Sequence, residues 1–216
     1  DWMDELGEKE LGKVWDKEIA ALNEQAPVIL RANSLKTDTR KLKSLLLDEN
    51  IVVQPVKGYD DALQLVERQN VFTTKAFKDG LFEVQDANSQ LVASFLDVEN
   101  GMRVIDTCAG AGGKSLHLAA LMENKGQIIA LDIYANKLKE LKRRARRAGA
   151  HNIEARHIDS TKVVKKLYNS ADRVLIDAPC SGLGVLSRNP DAKWKLEPEF
   201  LDKLRNTQAE ILNSYS

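Results

Sequence analysis

The fold is decided by one continuous stretch, RVIDTCAGAGGKSLHLAALMEN, which covers residues 103–124. It begins with an apolar run of strand length, passes through a glycine-rich turn and continues as a helix. The alternation of strands and helices then continues with a strand at 127–133, a helix at 134–148, a strand at 153–158, a helix near 161–168 and a strand at 172–179. Strands that alternate with helices in this way predict a parallel α/β sheet, doubly wound and Rossmann-like.

The residues before this stretch predict a smaller N-terminal α/β module. Its predicted elements are a helix at 4–23, a strand at 27–35, a helix at 39–50 capped by Thr37 or Asp38, a strand at 51–58 and a short helix at 61–69. A strand at 80–86 and a helix at 87–98 follow. We therefore divide the chain into the module, residues 1–79, and a Rossmann-like domain, residues 80–216.

Composition excludes several classes of protein. Of 216 residues, 43% are hydrophobic and 30% charged, which excludes a disordered chain. Lys and Arg (32) balance Asp and Glu (32), so any nucleic-acid partner must be recognised by local clusters of charge. Two cysteines and three scattered histidines predict neither a disulfide scaffold nor a metal site. No apolar run approaches the length of a membrane span, and no signal peptide is visible, so we expect a cytoplasmic protein without a membrane partner.

The glycine-rich turn, CAGAGGK (108–114), lies where a strand ends and a helix begins, which is where open α/β sheets bind ligands. Glycines there let backbone N–H groups approach a polar ligand. Asp132 ends the next strand, 20 residues after Gly112, where a carboxylate can accept the ribose hydroxyls of a nucleoside cofactor. The plainer interpretation is a tight turn followed by an ordinary strand-end aspartate.

The turn departs from both common phosphate-binding loops. Gly113-Lys114-Ser115 resembles the end of a phosphate-binding loop, but that motif needs glycine where Cys108 stands. The dinucleotide pattern needs glycine at position 115, which is serine. A ligand without a di- or triphosphate fits better, and S-adenosylmethionine is common on this architecture. A phosphate-loop nucleotide-binding enzyme stays open as the alternative.

A second motif, DAPCSGLG (177–184), follows the fourth strand of the predicted sheet. The end of that strand should adjoin the end of the first, so we expect Asp177 and Cys180 to face the same crevice as the glycine-rich turn. A thiol there can attack an electron-poor ring carbon or accept a proton. A buried structural cysteine is the alternative.

Together these motifs resemble the Nol/Nop/Sun family of S-adenosylmethionine-dependent RNA cytosine-C5 methyltransferases. The matching segments occur in the family's order: LRANSLKT (30–37), GLFEVQDANSQLVA (80–93), VIDTCAGAGGKSLHLA (104–119), LDI (131–133), DAPCSGLG (177–184) and RNPDAKWK (188–195). Many family members have Ala-Pro in place of Gly110-Ala111, a difference that changes the stiffness of the loop and leaves the following Gly-Gly-Lys intact.

The resemblance implies a class I methyltransferase fold, S-adenosylmethionine as cofactor and RNA as partner, with rRNA favoured over tRNA. Asp132 would bind the ribose hydroxyls, Asp159 would lie near the adenine, and Asp177 would line both the cofactor and the base. The methionine end and the ribose would be cradled by Cys108, Ala109, Gly110, Ala111, Gly112, Gly113 and Lys114.

The resemblance also assigns the catalytic groups. In this family the nucleophile is a cysteine of a Thr-Cys-Ser motif after the fifth strand, whereas the Pro-Cys-Ser cysteine, here Cys180, assists proton removal and product release, with Asp177 beside the base. The chain stops at Ser216, before that strand. We therefore expect a C-terminally truncated sheet and a fragment that is inactive by itself. A non-catalytic RNA-binding protein on the same fold is a further alternative.

Two weaker features remain. The helix at 134–148 concentrates positive charge and predicts either an RNA-phosphate contact or a solvated face, with Leu138, Leu141, Ala145 and Ala148 as its buried stripe; its basic residues are Lys137, Lys139, Lys142, Arg143, Arg144, Arg146 and Arg147. Trp194 could stack on a base, but we expect it to pack in the core.

Overall fold

The protein is described by a computed structural model that covers residues 2–215. These residues divide into two compact units: residues 27–177 with Tyr215, and residues 2–26 with 178–214. The strands are β1 (Ile29–Ala32), β2 (Val53–Pro55), β3 (Ala62–Leu65), β4 (Phe82–Val84), β5 (Arg103–Asp106), β6 (Gln127–Asp132), β7 (Ile153–His157) and β8 (Arg173–Leu175). The α-helices are α1 (Trp2–Leu11), α2 (Trp15–Asn23), α3 (Thr39–Asp48), α4 (Lys75–Lys78), α5 (Ala87–Phe95), α6 (Gly113–Leu121), α7 (Ala135–Ala148), α8 (Thr161–Lys165), α9 (Ala192–Lys195) and α10 (Pro198–Tyr215).

The first sheet of the larger unit is antiparallel, with strand order β2-β3-β1-β4. With α3 between β1 and β2 and α4 between β3 and β4, the chain follows a β-α-β-β-α-β path, which is a ferredoxin-like arrangement. Its core is built on Leu30, Leu42, Leu63 and Phe82, all fully buried. Asp38 caps α3 through a hydrogen bond from Lys41 N to its side chain, as one of the two predicted caps.

The predicted helix at 61–69 is wrong, because residues 62–65 form β3. The segment contains alanine, leucine and glutamine, which favour helices when considered alone. In the fold, however, it pairs with β2 on one side (Leu65 opposite Val53) and with β1 on the other (Gln64 opposite Ile29). Backbone pairing on both edges outweighs the intrinsic helical preference of the segment.

The strand predicted at 80–86 forms at 82–84, but it belongs to the antiparallel sheet. Its Val84 lies opposite Leu30 and its Phe82 opposite Ala32, both in β1. The division of the chain at residue 80 instead assigns this strand to the Rossmann-like domain. The full burial of Phe82 within the core of the antiparallel sheet accounts for the difference.

The second sheet of the larger unit is entirely parallel, with strand order β7-β6-β5-β8. All four predicted strands are present, and the helices α6, α7 and α8 alternate with them as predicted. The inner strands are apolar: Ile128, Ile129, Ala130 and Leu131 of β6 have no exposed surface. The chain order reverses between β5 and β8, which makes that point the topological switch of the sheet.

The smaller unit is helical. The continuous helix predicted at 4–23 is interrupted by a 3₁₀ turn at Gly12–Val14, where Gly12 has a φ of +55°, which glycine adopts readily. The interruption lets Trp15 Nε1 donate to Asp4 Oδ1 at 2.7 Å. A second 3₁₀ turn, Leu183–Val185, precedes α9. Trp194 of α9 is 85% exposed, so the expected packing of this side chain in the core is wrong.

Candidate functional site

The residues predicted for a ligand site meet at the carboxyl edge of the parallel sheet. The stretch 107–112 links β5 to α6, Asp132 ends β6, and Asp177 follows β8 by two residues. Because β5 lies between β6 and β8, all three segments leave the sheet side by side. The site therefore lies at the topological switch, where open α/β sheets bind ligands.

Two glycines give the loop its shape. Gly110 and Gly112 have φ angles of +55° and +87°, and Gly112 stands immediately before the first residue of α6. A Cβ on Gly112 would lie 2.6 Å from Leu141 Cγ, a distance that real Cβ atoms do not reach. Both the backbone conformation and the close approach of α7 thus require glycine at position 112.

Asp132 holds this loop against β6. Its Oδ2 accepts a hydrogen bond from Gly110 N at 2.8 Å, and its Oδ1 accepts one from Tyr134 N at 2.7 Å. The residue is buried. Each carboxylate oxygen has a further lone pair, so Asp132 can fix the loop and still accept hydrogen bonds from a hydroxylated ligand.

Lys114 and Asp177 form an ion pair that joins the first turn of α6 to the segment after β8. The distance from Lys114 Nζ to Asp177 Oδ2 is 2.5 Å. The lysine side chain is 18% exposed and the aspartate side chain 45%. The ammonium group that a phosphate-binding loop would direct at its ligand is therefore bound to a carboxylate of the protein itself.

A third acidic group, Asp106, lies beneath the loop at the end of β5. It is buried and accepts a hydrogen bond from Ser115 Oγ at 2.6 Å. Burial raises the pKa of this carboxyl to about 6, and the negative charge of Asp177 acts in the same direction. Sequence patterns gave no reason to single out Asp106, because strand-end aspartates are common.

The two cysteines differ in their surroundings. Cys108 is half-buried in the loop, and burial raises the pKa of its thiol, which keeps it protonated at neutral pH. Cys180 is exposed, three residues after Asp177 along the chain, in a stretch without helix or strand. Within the smaller unit, the carbonyl of the neighbouring Pro179 accepts a hydrogen bond from Gln208 Nε2 at 2.7 Å.

The remaining predicted residues occupy the same edge of the parallel sheet. Ala109 is buried, with its N–H donating to Leu131 O at 2.8 Å. Asp159 is exposed two residues after β7, and its Oδ1 accepts from Ser160 Oγ at 3.0 Å. The roles of these residues in binding remain predictions.

Two arginines bind this loop in a role that the sequence patterns did not predict. Arg144 Nη1 donates to Ala111 O at 2.9 Å, and Arg31 Nη1 donates to Gly113 O at 2.8 Å. Arg144 and Arg147 both bind the buried carboxylate of Glu83, so these two basic residues of α7 do not belong to a solvated face; an RNA-phosphate contact by the helix stays a prediction. One signal was present in the sequence: Arg31 interrupts the apolar segment VILRA (28–32).

The described residues contain neither of two other features, a membrane-spanning helix or a metal site. No helix within residues 2–215 is both long enough and apolar enough to cross a membrane. Within the same residues, no three or more histidine, cysteine or acidic side chains form a group able to hold a metal ion.

Comparisons with known proteins agree with this geometry. Residues 93–216 match the family model described as 16S rRNA methyltransferase RsmB/F. Residues 1–72 match the model of the ferredoxin-like domain of RsmF/B-like methyltransferases. Together the two models cover the parallel sheet and three of the four strands of the antiparallel sheet, with β4 between the matched ranges.

Two curated relatives illustrate the range of similar proteins. A probable ribosomal RNA small subunit methyltransferase B of Bacillus subtilis is 39% identical over 184 residues, which make up 85% of this chain and 41% of that protein. A mouse 28S rRNA (cytosine-C(5))-methyltransferase is 33% identical over 190 residues, which make up 87% of this chain and 24% of that protein. The chain thus spans less than half the length of each.

Solved structures share the fold. The crystal structure of PH0851 superposes with a TM-score of 0.94 at 30% identity, over 99% of this chain and 49% of that one. NSun6 from Pyrococcus horikoshii, solved with SFG, gives a TM-score of 0.88 at 20% identity, over 98% and 78% of the two chains. The loop geometry and the ferredoxin-like sheet agree with the family match, which covers more than half of the chain. This chain therefore belongs to the RsmB/F family of 16S rRNA methyltransferases.

Proposed function

We propose that this protein methylates C5 of a cytosine in RNA, most directly ribosomal RNA, with S-adenosylmethionine as methyl donor. The observation that carries the proposal is the glycine loop tied to Asp132 at the switch point of the sheet, in a chain of the RsmB/F family. The names of the bacterial and mouse relatives support rRNA as substrate and cytosine C5 as the methylated position. A cytoplasmic location follows for a protein that acts on bacterial ribosomal RNA.

The residues present fit a nucleoside cofactor. Apart from Gly110 itself and its two chain neighbours, no atom of residues 2–215 lies within 4 Å of the position a Cβ on Gly110 would take, so the loop has open space on that side. Asp132 would bind the ribose hydroxyls through its remaining lone pairs, the loop 108–114 would hold the methionine end, and Asp159 would lie near the adenine. S-adenosylmethionine supplies an electrophilic methyl group when bound. The match of residues 93–216 to a methyltransferase family supports the assignment.

Asp177 is the residue of the site best placed to meet a base. Its ion pair with Lys114 restrains the carboxylate, while nearly half of its side chain stays exposed. A carboxylate accepts hydrogen bonds and donates none, so Asp177 would bind the exocyclic amino group of cytosine. Lys114 would thus contribute to base binding indirectly, by restraining the carboxylate of Asp177.

The covalent chemistry follows the family resemblance. A thiolate adds to C6 of cytosine, C5 becomes nucleophilic and takes the methyl group, and a base removes the C5 proton as the thiolate leaves. We propose that Cys180 assists the last step, which its solvent exposure permits. The attacking thiolate belongs to the Thr-Cys-Ser cysteine that the resemblance places after the fifth strand.

Two experiments test the proposal. Calorimetric titration with S-adenosylhomocysteine should show binding, while ATP with magnesium should show none; the reverse result would favour a phosphate-loop enzyme.

The second experiment supplies tritiated S-adenosylmethionine and a 16S rRNA transcript to the protein that carries these residues together with the Thr-Cys-Ser segment. Label should appear as 5-methylcytidine in the digested RNA. Cofactor binding with RNA binding but no 5-methylcytidine would point to the non-catalytic alternative.

A further inference from the structure

Two arginines outside the loop donate hydrogen bonds to its carbonyl oxygens. Arg144 of α7 binds Ala111 O at 2.9 Å, and Arg31 of β1 binds Gly113 O at 2.8 Å. Both are largely removed from solvent: Arg31 is 2% exposed, and the side chain of Arg144 is 17% exposed. Hydrogen bonds from a charged donor in such surroundings are stronger than neutral ones in water.

The orientation of these carbonyl groups determines the orientation of the N–H groups in the same peptide units. Because a peptide unit is planar, the carbonyl of Gly113 and the N–H of Lys114 have a fixed mutual orientation. The N–H groups in the first turn of α6 lack partners within the helix and are the donors that the loop can offer to a ligand. The carbonyl of Ala111 and the N–H of Gly112 likewise share one planar peptide unit. This N–H donates a hydrogen bond to Ala109 O at 2.9 Å within the turn.

The antiparallel sheet orients both arginines. Glu83 of β4 is 3% exposed, and its Oε2 accepts from Arg144 Nε at 3.2 Å and from Arg144 Nη2 at 2.9 Å. Its Oε1 accepts from Arg147 Nη2 at 2.5 Å. Gln85, directly after β4, accepts a hydrogen bond from Arg31 through Oε1. Residues at the end of β4 therefore orient the guanidinium groups of Arg31 and Arg144, which bind the loop.

We propose that Arg31 and Arg144, oriented by the ferredoxin-like sheet, are positioning residues of the cofactor site. They hold the loop through its carbonyl oxygens, so that its amides have the binding orientation before the cofactor arrives. This inference rests on the proposed function, since it concerns the same cofactor. It assigns to the ferredoxin-like sheet a part in cofactor affinity that is separate from any contact with RNA.

The test uses two neighbouring arginines as a matched pair. Arg144 and Arg147 both lie on α7 and both bind Glu83, but only Arg144 binds the loop. We expect Arg144→Gln to weaken S-adenosylhomocysteine binding about tenfold, the effect of one lost charge-assisted hydrogen bond. Arg147→Gln should stay within about twofold of the wild type, with a comparable fall in Tm. Hydrogen exchange of the amides of 110–114 without ligand should accelerate in Arg144→Gln alone.

The outcomes separate the inference from the proposed function. Equal affinities for Arg144→Gln and Arg147→Gln, with equal exchange in the loop, would overturn the inference and leave the proposed function intact. A wild-type protein that does not bind S-adenosylhomocysteine would overturn both. Should Arg31→Gln fail to fold because Arg31 is only 2% exposed, the Arg144 and Arg147 pair still decides the matter, since these two side chains are less deeply buried, at 17% and 18% exposed.

Discussion

The two sheets of the larger unit each have four strands, but they place polar side chains differently. In the parallel sheet the buried polar groups stand at the carboxyl ends of strands, as Asp106 and Asp132 do. In the antiparallel sheet they stand within the strands, as Arg31 and Glu83 do. The first arrangement forms the proposed ligand site. The second joins the antiparallel sheet to the helix and loop that shape this site.

This difference shows why Asp132 was recognised from sequence, whereas Arg31 and Glu83 were not. An acidic residue that ends the strand after a glycine-rich turn has a known meaning in α/β folds. A polar residue inside a short strand resembles any solvent-facing position of an antiparallel sheet. Only the structure shows that Glu83 is buried against α7.

The largest expected effect concerns the buried carboxylate between the sheets. Glu83→Ala removes the shared partner of Arg144 and Arg147 and leaves two guanidinium groups poorly paired in a buried site. We expect the free energy of unfolding to fall by about 3–5 kcal/mol, measured by urea denaturation. Glu140→Ala on the exposed side of α7 is the control and should have a much smaller effect. A similar loss for both variants would contradict the assigned role of Glu83.

The next prediction concerns Asp106. Its pKa is about 6 in the folded protein and 3.8 ordinarily, so the fold favours the protonated form. Its contribution to stability is thus fully present below pH 4 and is lost as the pH rises to 6, a loss of about 3 kcal/mol. Asp106→Asn should remove this loss. Thermal unfolding of both proteins from pH 4 to 7.5 measures it, and a difference in stability that does not change with pH would refute it.

A smaller effect separates the two glycines with positive φ. Alanine at Gly110 adopts an unfavourable backbone conformation but meets no neighbour, and we expect a loss of about 1 kcal/mol. Alanine at Gly112 has the same backbone penalty and also displaces Leu141, so the loss should reach about 2 kcal/mol or more. Chemical denaturation compares the two variants. Equal losses would show that the contact with Leu141 relaxes freely.

The smallest effect is expected at Trp194. Because 85% of this residue is exposed, Trp194→Ala should change the free energy of unfolding by less than about 0.5 kcal/mol. A titration of the variant with an rRNA transcript then tests the other role considered for this side chain, stacking on a base. A large loss of stability would show that the indole packs against the protein after all.

The sequence was sufficient for the parallel sheet and for the loop that it carries. Long apolar strands, glycines at a strand end and Asp132 at the next strand end are local features, and they occur where they were predicted. The formation of β3 and the sheet membership of β4 could not be predicted from such local features. Whether residues 62–65 form a strand depends on two partner strands that are distant in sequence, and the sheet to which residues 82–84 belong depends on β1.

The central claim, that the loop and Asp132 form the cofactor site, is tested most directly by calorimetric titration of Asp132→Ala with S-adenosylhomocysteine. The variant loses the proposed ribose acceptor and the hydrogen bond that ties Gly110 to β6. We predict at least a hundredfold weaker binding than in the wild type, equivalent to about 3 kcal/mol, with circular dichroism confirming the fold and the exposed Asp202→Ala as a neutral control. A folded Asp132→Ala variant that binds within twofold of the wild type would contradict the account.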